Sequence, residues 1–121
     1  MKSYYIMTQE IKIRALSGTW AVRAAGAVIA ETRFALELIE GQSLPVIYFP
    51  RDDIAMAFLD YTQKTTHCPQ KGNARYFSII TKNKPIENVA WSYETPAKEM
   101  LQIKQHLAFY PNEKIAIEHL E

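Results

Sequence analysis

Thr66-His67-Cys68-Pro69-Gln70-Lys71-Gly72-Asn73-Ala74-Arg75-Tyr76 brings together the only cysteine of the chain, a lysine, a glycine turn and the start of a strand. Beyond it, Ala74 to Lys82 is dense in aromatic and β-branched residues, the composition of a strand packed on a pleated surface. Asn83-Lys84-Pro85 then turns the chain into a second such run, Ile86 to Tyr93. A glycine turn leading into a hairpin of this kind sets the expectation of a mainly β domain.

Upstream of the stretch, Tyr61 to Asn73 reads as the longest loop, polar apart from Cys68. A loop held between strands of a rigid β scaffold is a common carrier of function. Before it, Val46-Ile47-Tyr48-Phe49 is a compact apolar strand ended by Pro50, which has no N–H for a ladder and pushes Phe49 into an extended conformation. Asp52 or Asp53 is placed to cap a short helix reaching Leu59. Further back, Trp20, Val22 and Ala24 alternate with Thr19, Ala21 and Arg23, the period of two of a half-covered strand. Ala27 to Glu31 and Phe34 to Ile39 give two more strands, separated from their neighbours by turns at Gly26 and Gly41.

Downstream, Thr95-Pro96 allows a short helical turn from Ala97 to about Leu101. Lys104 to Tyr110 and Lys114 to Glu118 read as closing strands on either side of Pro111-Asn112. Residues 1–9 show no sustained periodicity and read as an N-terminal extension, leaving 10–121 as a single domain. A chain of 121 residues is long enough to bury a core without staples.

Composition sets several functions aside. The formal net charge is +1, and no run of Lys or Arg lays a stripe for a phosphate backbone, so nucleic acid is not the expected partner. No apolar run approaches the roughly 18 residues of a spanning helix, and no signal peptide opens the chain, so the expectation is a cytoplasmic protein with no membrane partner. One cysteine excludes an intrachain disulfide. His67, His106 and His119 match no zinc spacing, and no nucleotide-binding glycine loop or nucleophile elbow occurs, so neither metal nor cofactor is expected. Oligomeric state is not written in the residues.

Five stretches carry a resemblance. They are Gly26-Ala27-Val28-Ile29-Ala30-Glu31-Thr32, Val46-Ile47-Tyr48-Phe49-Pro50-Arg51-Asp52-Asp53, Thr66-His67-Cys68-Pro69-Gln70-Lys71-Gly72, Asn88-Val89-Ala90-Trp91-Ser92-Tyr93 and Ala108-Phe109-Tyr110. In this order, over nearly the whole chain, they resemble the bacterial and fungal proteins grouped as domain of unknown function family 427. The resemblance implies a β-tent-like fold, two antiparallel sheets leaning together with one or two short helices. That fold is similar in outline to methionine sulfoxide reductase B and to the thalidomide-binding domain of cereblon. Such relatives often clamp the tent with zinc on two Cys-x-x-Cys pairs; a chain with one cysteine has no such clamp. Members often carry a His-Pro ahead of the first strand, where Glu10-Ile11 stands here, so no role transfers to that histidine. The nucleotidyltransferase label sometimes attached to the family finds no Gly-Ser with Asp-x-Asp in this chain.

Candidate chemistry gathers at few residues. Trp91 and Tyr93, two apart on a strand, face one side, and Tyr48, Tyr76 and Tyr110 come from strands able to line the same cleft. They read equally as core or as the wall of a half-open pocket, since Tyr and Trp carry polar atoms that want partners when buried. Lys71 with Gly72-Asn73 reads as an anion-holding turn or as a plain hairpin turn. Arg51 and Asp52 sit on the corner after a buried strand, as cleft-edge groups or as a local pair with a helix cap. Cys68 is either a nucleophile activated by His67 or Lys71 or a small buried hydrophobe. The leading expectation is a domain binding a small polar or anionic metabolite in the aromatic cleft. The alternatives are an enzyme using Cys68 as nucleophile and a protein-interaction module.

Overall fold

A computed structural model describes residues 10–121; the expected extension at 1–9 lies outside the described residues. Among the described residues ten strands form two antiparallel sheets: β1 (Ile11–Ala15), β2 (Trp20–Ala24), β3 (Ala27–Thr32), β4 (Leu36–Glu40), β5 (Val46–Phe49), β6 (Leu59–Cys68), β7 (Gly72–Ile79), β8 (Ile86–Ser92), β9 (Leu107–Phe109) and β10 (Ile115–His119). The larger sheet runs β1-β4-β5-β9-β8-β7-β6 and the smaller β10-β2-β3. This is the tent-like, mainly β architecture that the resemblance implies. Among the described residues no helix is long and apolar enough to cross a membrane.

Three adjacent aromatic pairs explain the layering. Tyr48-Phe49 on β5, Tyr76-Phe77 on β7 and Phe109-Tyr110 at the end of β9 each put one ring on either face, because successive strand residues point to opposite sides. The phenylalanines go inward. Phe49, Phe77 and Phe109 join Val22, Ile29, Ile79, Leu107 and Ile115 in the core between the two sheets, with Phe49 and Phe109 edge to face at 6.0 Å. Full burial of such a side chain is worth about 1.5–3 kcal/mol. The tyrosines go to the opposite face of the large sheet. There Tyr48, Tyr76 and Tyr93 pack with Leu38, Met100 and Ile103 in a second cluster.

The structure corrects three local expectations. Tyr61–Asn73 is not a loop: Leu59–Cys68 is a ten-residue strand, the longest among the described residues, joined to β7 by a turn closed by Lys71 N–H donating to the Cys68 carbonyl. As the edge of the large sheet it has one partner strand and no face that must be apolar, so the alternation that marks a strand is missing. It also carries a bulge, with Thr62, Gln63 and Lys64 opposite Tyr76, and the Lys64 ammonium stands 4.6 Å from the centre of the Tyr76 ring. The expected helix after Pro50 is two single 3-10 turns, Arg51–Asp53 and Met56–Phe58, with no side-chain cap. Asp53 instead accepts a hydrogen bond from the Thr32 hydroxyl at 2.7 Å. A third 3-10 stretch covers Lys98–Ile103, and the strand expected from Lys104 is reduced to β9.

Asn88 marks a second bulge. Between Ile86 and Ala90, β8 has three residues where β7 has only Ser78. Asn88 absorbs the excess in the left-handed region at φ 54, and its N–H donates to Ser78 Oγ. Its side-chain oxygen is buried with no hydrogen-bond partner.

Candidate functional site

One cross-strand row builds the site. Strand register aligns Tyr48 with Ala108, Ala108 with Trp91 and Trp91 with Tyr76 across β5, β9, β8 and β7. All four side chains therefore share a face. Ala108 is the enabling residue: its methyl leaves room for the Trp91 indole to reach over it. The indole N–H donates to the Tyr48 hydroxyl at 3.3 Å, with the rings edge to face at 6.5 Å. On the other side Trp91 lies against Tyr110 at 4.4 Å between centroids and Tyr76 at 6.4 Å. Tyr110 is held just past β9 by its N–H donating to the Val89 carbonyl.

These rings line a concave cleft of about 170 Å³ together with Tyr93, Lys71, Glu40 and the apolar side chains of Leu38, Leu44 and Val46. The hydroxyls form a linked set. Tyr76 shares hydrogen bonds with Thr66 Oγ1 at 3.0 Å and with Tyr110. Burial raises the Tyr48 and Tyr93 phenols well above the ordinary tyrosine range. For Tyr48 desolvation outweighs the opposing Trp91 N–H, and Glu40, Cys68 and Tyr76 add to the rise through their charge. Tyr110 is pushed up to about 12, by desolvation first and by Tyr76 second. Every phenol with a raised value is thus a neutral hydroxyl at physiological pH.

Lys71 does not offer a free charge. The turn after β6 carries its side chain across the cleft edge to Glu40 at the end of β4, where Nζ and Oε1 meet at 2.6 Å with Lys71 only 9% exposed. Glu40 was absent from the sequence reading, and nothing local could have signalled it, because the pair is separated by 31 residues.

Six of the eight expected binding residues, Tyr48, Lys71, Tyr76, Trp91, Tyr93 and Tyr110, thus meet at one cleft. Arg51 and Asp52 stand elsewhere. The corner at Pro50 sends the Arg51 guanidinium to the other face of β8, where it donates to the Gln105 carbonyl at 2.9 Å, Ser92 Oγ at 3.2 Å and Glu94 Oε2 at 3.0 Å. Tyr61 donates to the same Glu94 oxygen at 2.7 Å. Arg51 is a staple between the β5 corner and the end of β8. Asp52 is solvent-exposed on that corner.

Cys68 is half-buried at the foot of β6, near the phenols whose titration it affects. The two groups expected to activate it are engaged elsewhere: Lys71 with Glu40, and His67 through Nδ1 with Asn73 Oδ1 at 2.6 Å. Among the described residues no three His, Cys, Asp or Glu side chains gather as metal ligands would.

A search of curated proteins finds no match for the chain. A family model described as Domain of unknown function (DUF427) matches residues 12–120, which span both sheets and the whole tyrosine row. The chain belongs to that family.

Proposed function

We propose that this domain binds a small, uncharged polar molecule in the Trp91 cleft. The observation that carries the reading is the convergence of neutral phenol hydroxyls and one indole on a concave site. Aromatic walls with a few placed polar groups are the usual make-up of a small-molecule pocket. The anionic half of the expected polar-or-anionic ligand loses support, because Lys71 at the cleft is already paired with Glu40 and Arg51 faces away. Size narrows the ligand further. At about 170 Å³ the cleft holds the equivalent of roughly five to six waters. That suits a fragment the size of a small amide or heterocycle, whose flat face packs on Trp91 while its polar edge meets the tyrosines. Partial burial of Trp91 within a concavity also favours a ligand over a flat protein partner.

The test is a thermal-shift screen against small amides, heterocycles, sulfoxides, organic acids and sugar phosphates, since a ligand bound only by the folded state raises Tm. We expect shifts from the uncharged compounds that vanish in Trp91→Ala and persist in Lys71→Met. Shifts confined to the acids and phosphates and abolished by Lys71→Met would restore the anionic reading instead.

A further inference from the structure

The two sheets diverge where the β2–β3 turn at Ala25-Gly26 and the β7–β8 turn at Asn83-Lys84 come off their strands. Between them opens a trough of about 1010 Å³, distant in the fold from the tyrosine row. Its floor and walls are aliphatic and aromatic: Ala24, Ala27, Ile29, Phe58, Ile80 and Ile86. Ile80 and Phe58 are each 42% exposed, so the apolar lining is open to a ligand from solvent.

Charge on this trough is of one sign. Lys82, Lys84 and Lys114 line it from two separate turns, all three exposed, and among the described residues no carboxylate does. None of the three takes part in any of the ion pairs found among the described residues. An apolar channel edged by unpaired ammonium groups matches a molecule with an aliphatic tail and an anionic head. The concavity, at the upper end of the roughly 300–1,000 Å³ that encloses a small ligand, favours one molecule over a bilayer surface or a flat protein face.

We infer that the trough is a binding site for a single straight-chain carboxylate amphiphile, with the tail along Ile29, Ile80 and Phe58 and the head on Lys82, Lys84 and Lys114. The site is independent of the Trp91 cleft.

The experiment is calorimetric titration of the protein with octanoate, decanoate and dodecanoate below their micelle concentrations. Dodecanol and dodecyltrimethylammonium serve as neutral and cationic heads on the same tail. We expect one dodecanoate per chain, affinity rising about fourfold per methylene along the series, and the cationic analogue at least tenfold weaker. The Lys82→Glu/Lys84→Glu/Lys114→Glu variant, all surface changes, should reverse the head preference while keeping dodecanol binding. Ile80→Asp should remove binding of every tail, and Trp91→Ala should leave it unchanged. Equal binding of the anionic and cationic analogues overturns the inference. So does loss of dodecanoate binding in Trp91→Ala, or uptake onto anionic vesicles with no binding of monomeric dodecanoate.

Discussion

Tyr48 shows how a single residue carries both structure and site. Its ring is buried against Trp91 and its hydroxyl has been taken out of water, so the neutral phenol is favoured by folding and the phenolate is not. The sign for stability follows. With the folded value above the unfolded 10, the contribution is complete below about pH 10 and is lost as pH rises through the folded value, because unfolding then releases a proton. Tyr93 acts in the same direction. We therefore expect denaturation midpoints to be flat near neutrality and to fall steeply above about pH 10, with Tyr48→Phe shallower than wild type. Tyrosinate absorbance followed alongside circular dichroism reads both. Cys68 calls for the opposite expectation: with Lys71 and His67 engaged by Glu40 and Asn73, it should alkylate no faster than a free thiol at neutral pH. Alkylation tenfold faster would reopen the nucleophile reading. Strand parity made the grouping of Trp91 and Tyr93 legible in the sequence, and the tyrosine of each Tyr-Phe pair with it. The charges were not legible, because the destination of Arg51 depends on a corner and that of Lys71 on a distant strand.

Elements with a covered face were readable and those without one were not. β2, β5, β7 and β8 each bury apolar residues against the core, so their composition declares them. β6 exposes seven of its ten residues, and with no apolar period to find, its threonines and tyrosine looked like loop. The β6 bulge was hidden for the same reason, since extra residues break the alternation that would reveal them, whereas Asn88, on the face opposite Trp91 by parity, reads from the sequence as tying down a turn or bulge and does so. The Asn88 bulge makes a prediction at this scale. Left-handed backbone is tolerated by Gly and Asn and strained for β-branched residues, and the buried oxygen of Asn88 gains no hydrogen bond here. Asn88→Gly should change stability by less than about 1 kcal/mol, whereas Asn88→Val should cost about 1–3 kcal/mol. Urea denaturation of the pair tests this. Equal losses would mean that the side chain, not the backbone, holds the bulge.

For the whole molecule, the division of labour between rings on the two faces decides what each can tolerate. Phe77 sits in the core between the sheets at 1% exposure. Phe77→Ala should cost about 3–5 kcal/mol, a large part of the 5–15 kcal/mol that holds a domain together. Tyr110→Phe, on the open cleft, should cost less than about 1 kcal/mol in urea while removing the hydroxyl that meets Tyr76. A loss at Tyr110 as large as that at Phe77 would mean that the cleft face supports the fold as heavily as the core does.

The three residues of β9 lie at the centre of the large sheet, with β5 on one side and β8 on the other. Chain order and sheet order therefore disagree. β1-β4-β5 and β8-β7-β6 are each made from earlier segments, and no backbone ladder joins them until residues 107–109 arrive. β10 must likewise return to β2 at the far end of the chain. Closing contacts of such long separation is slow, because loop entropy is lost before any ladder bond repays it. A chain emerging from a ribosome would thus hold two half-sheets, the inner strands β5 and β8 each showing a bare ladder to its neighbours in the crowd. Refolding yield should depend on protein concentration, and a nascent chain stopped before residue 107 is the form most prone to aggregate.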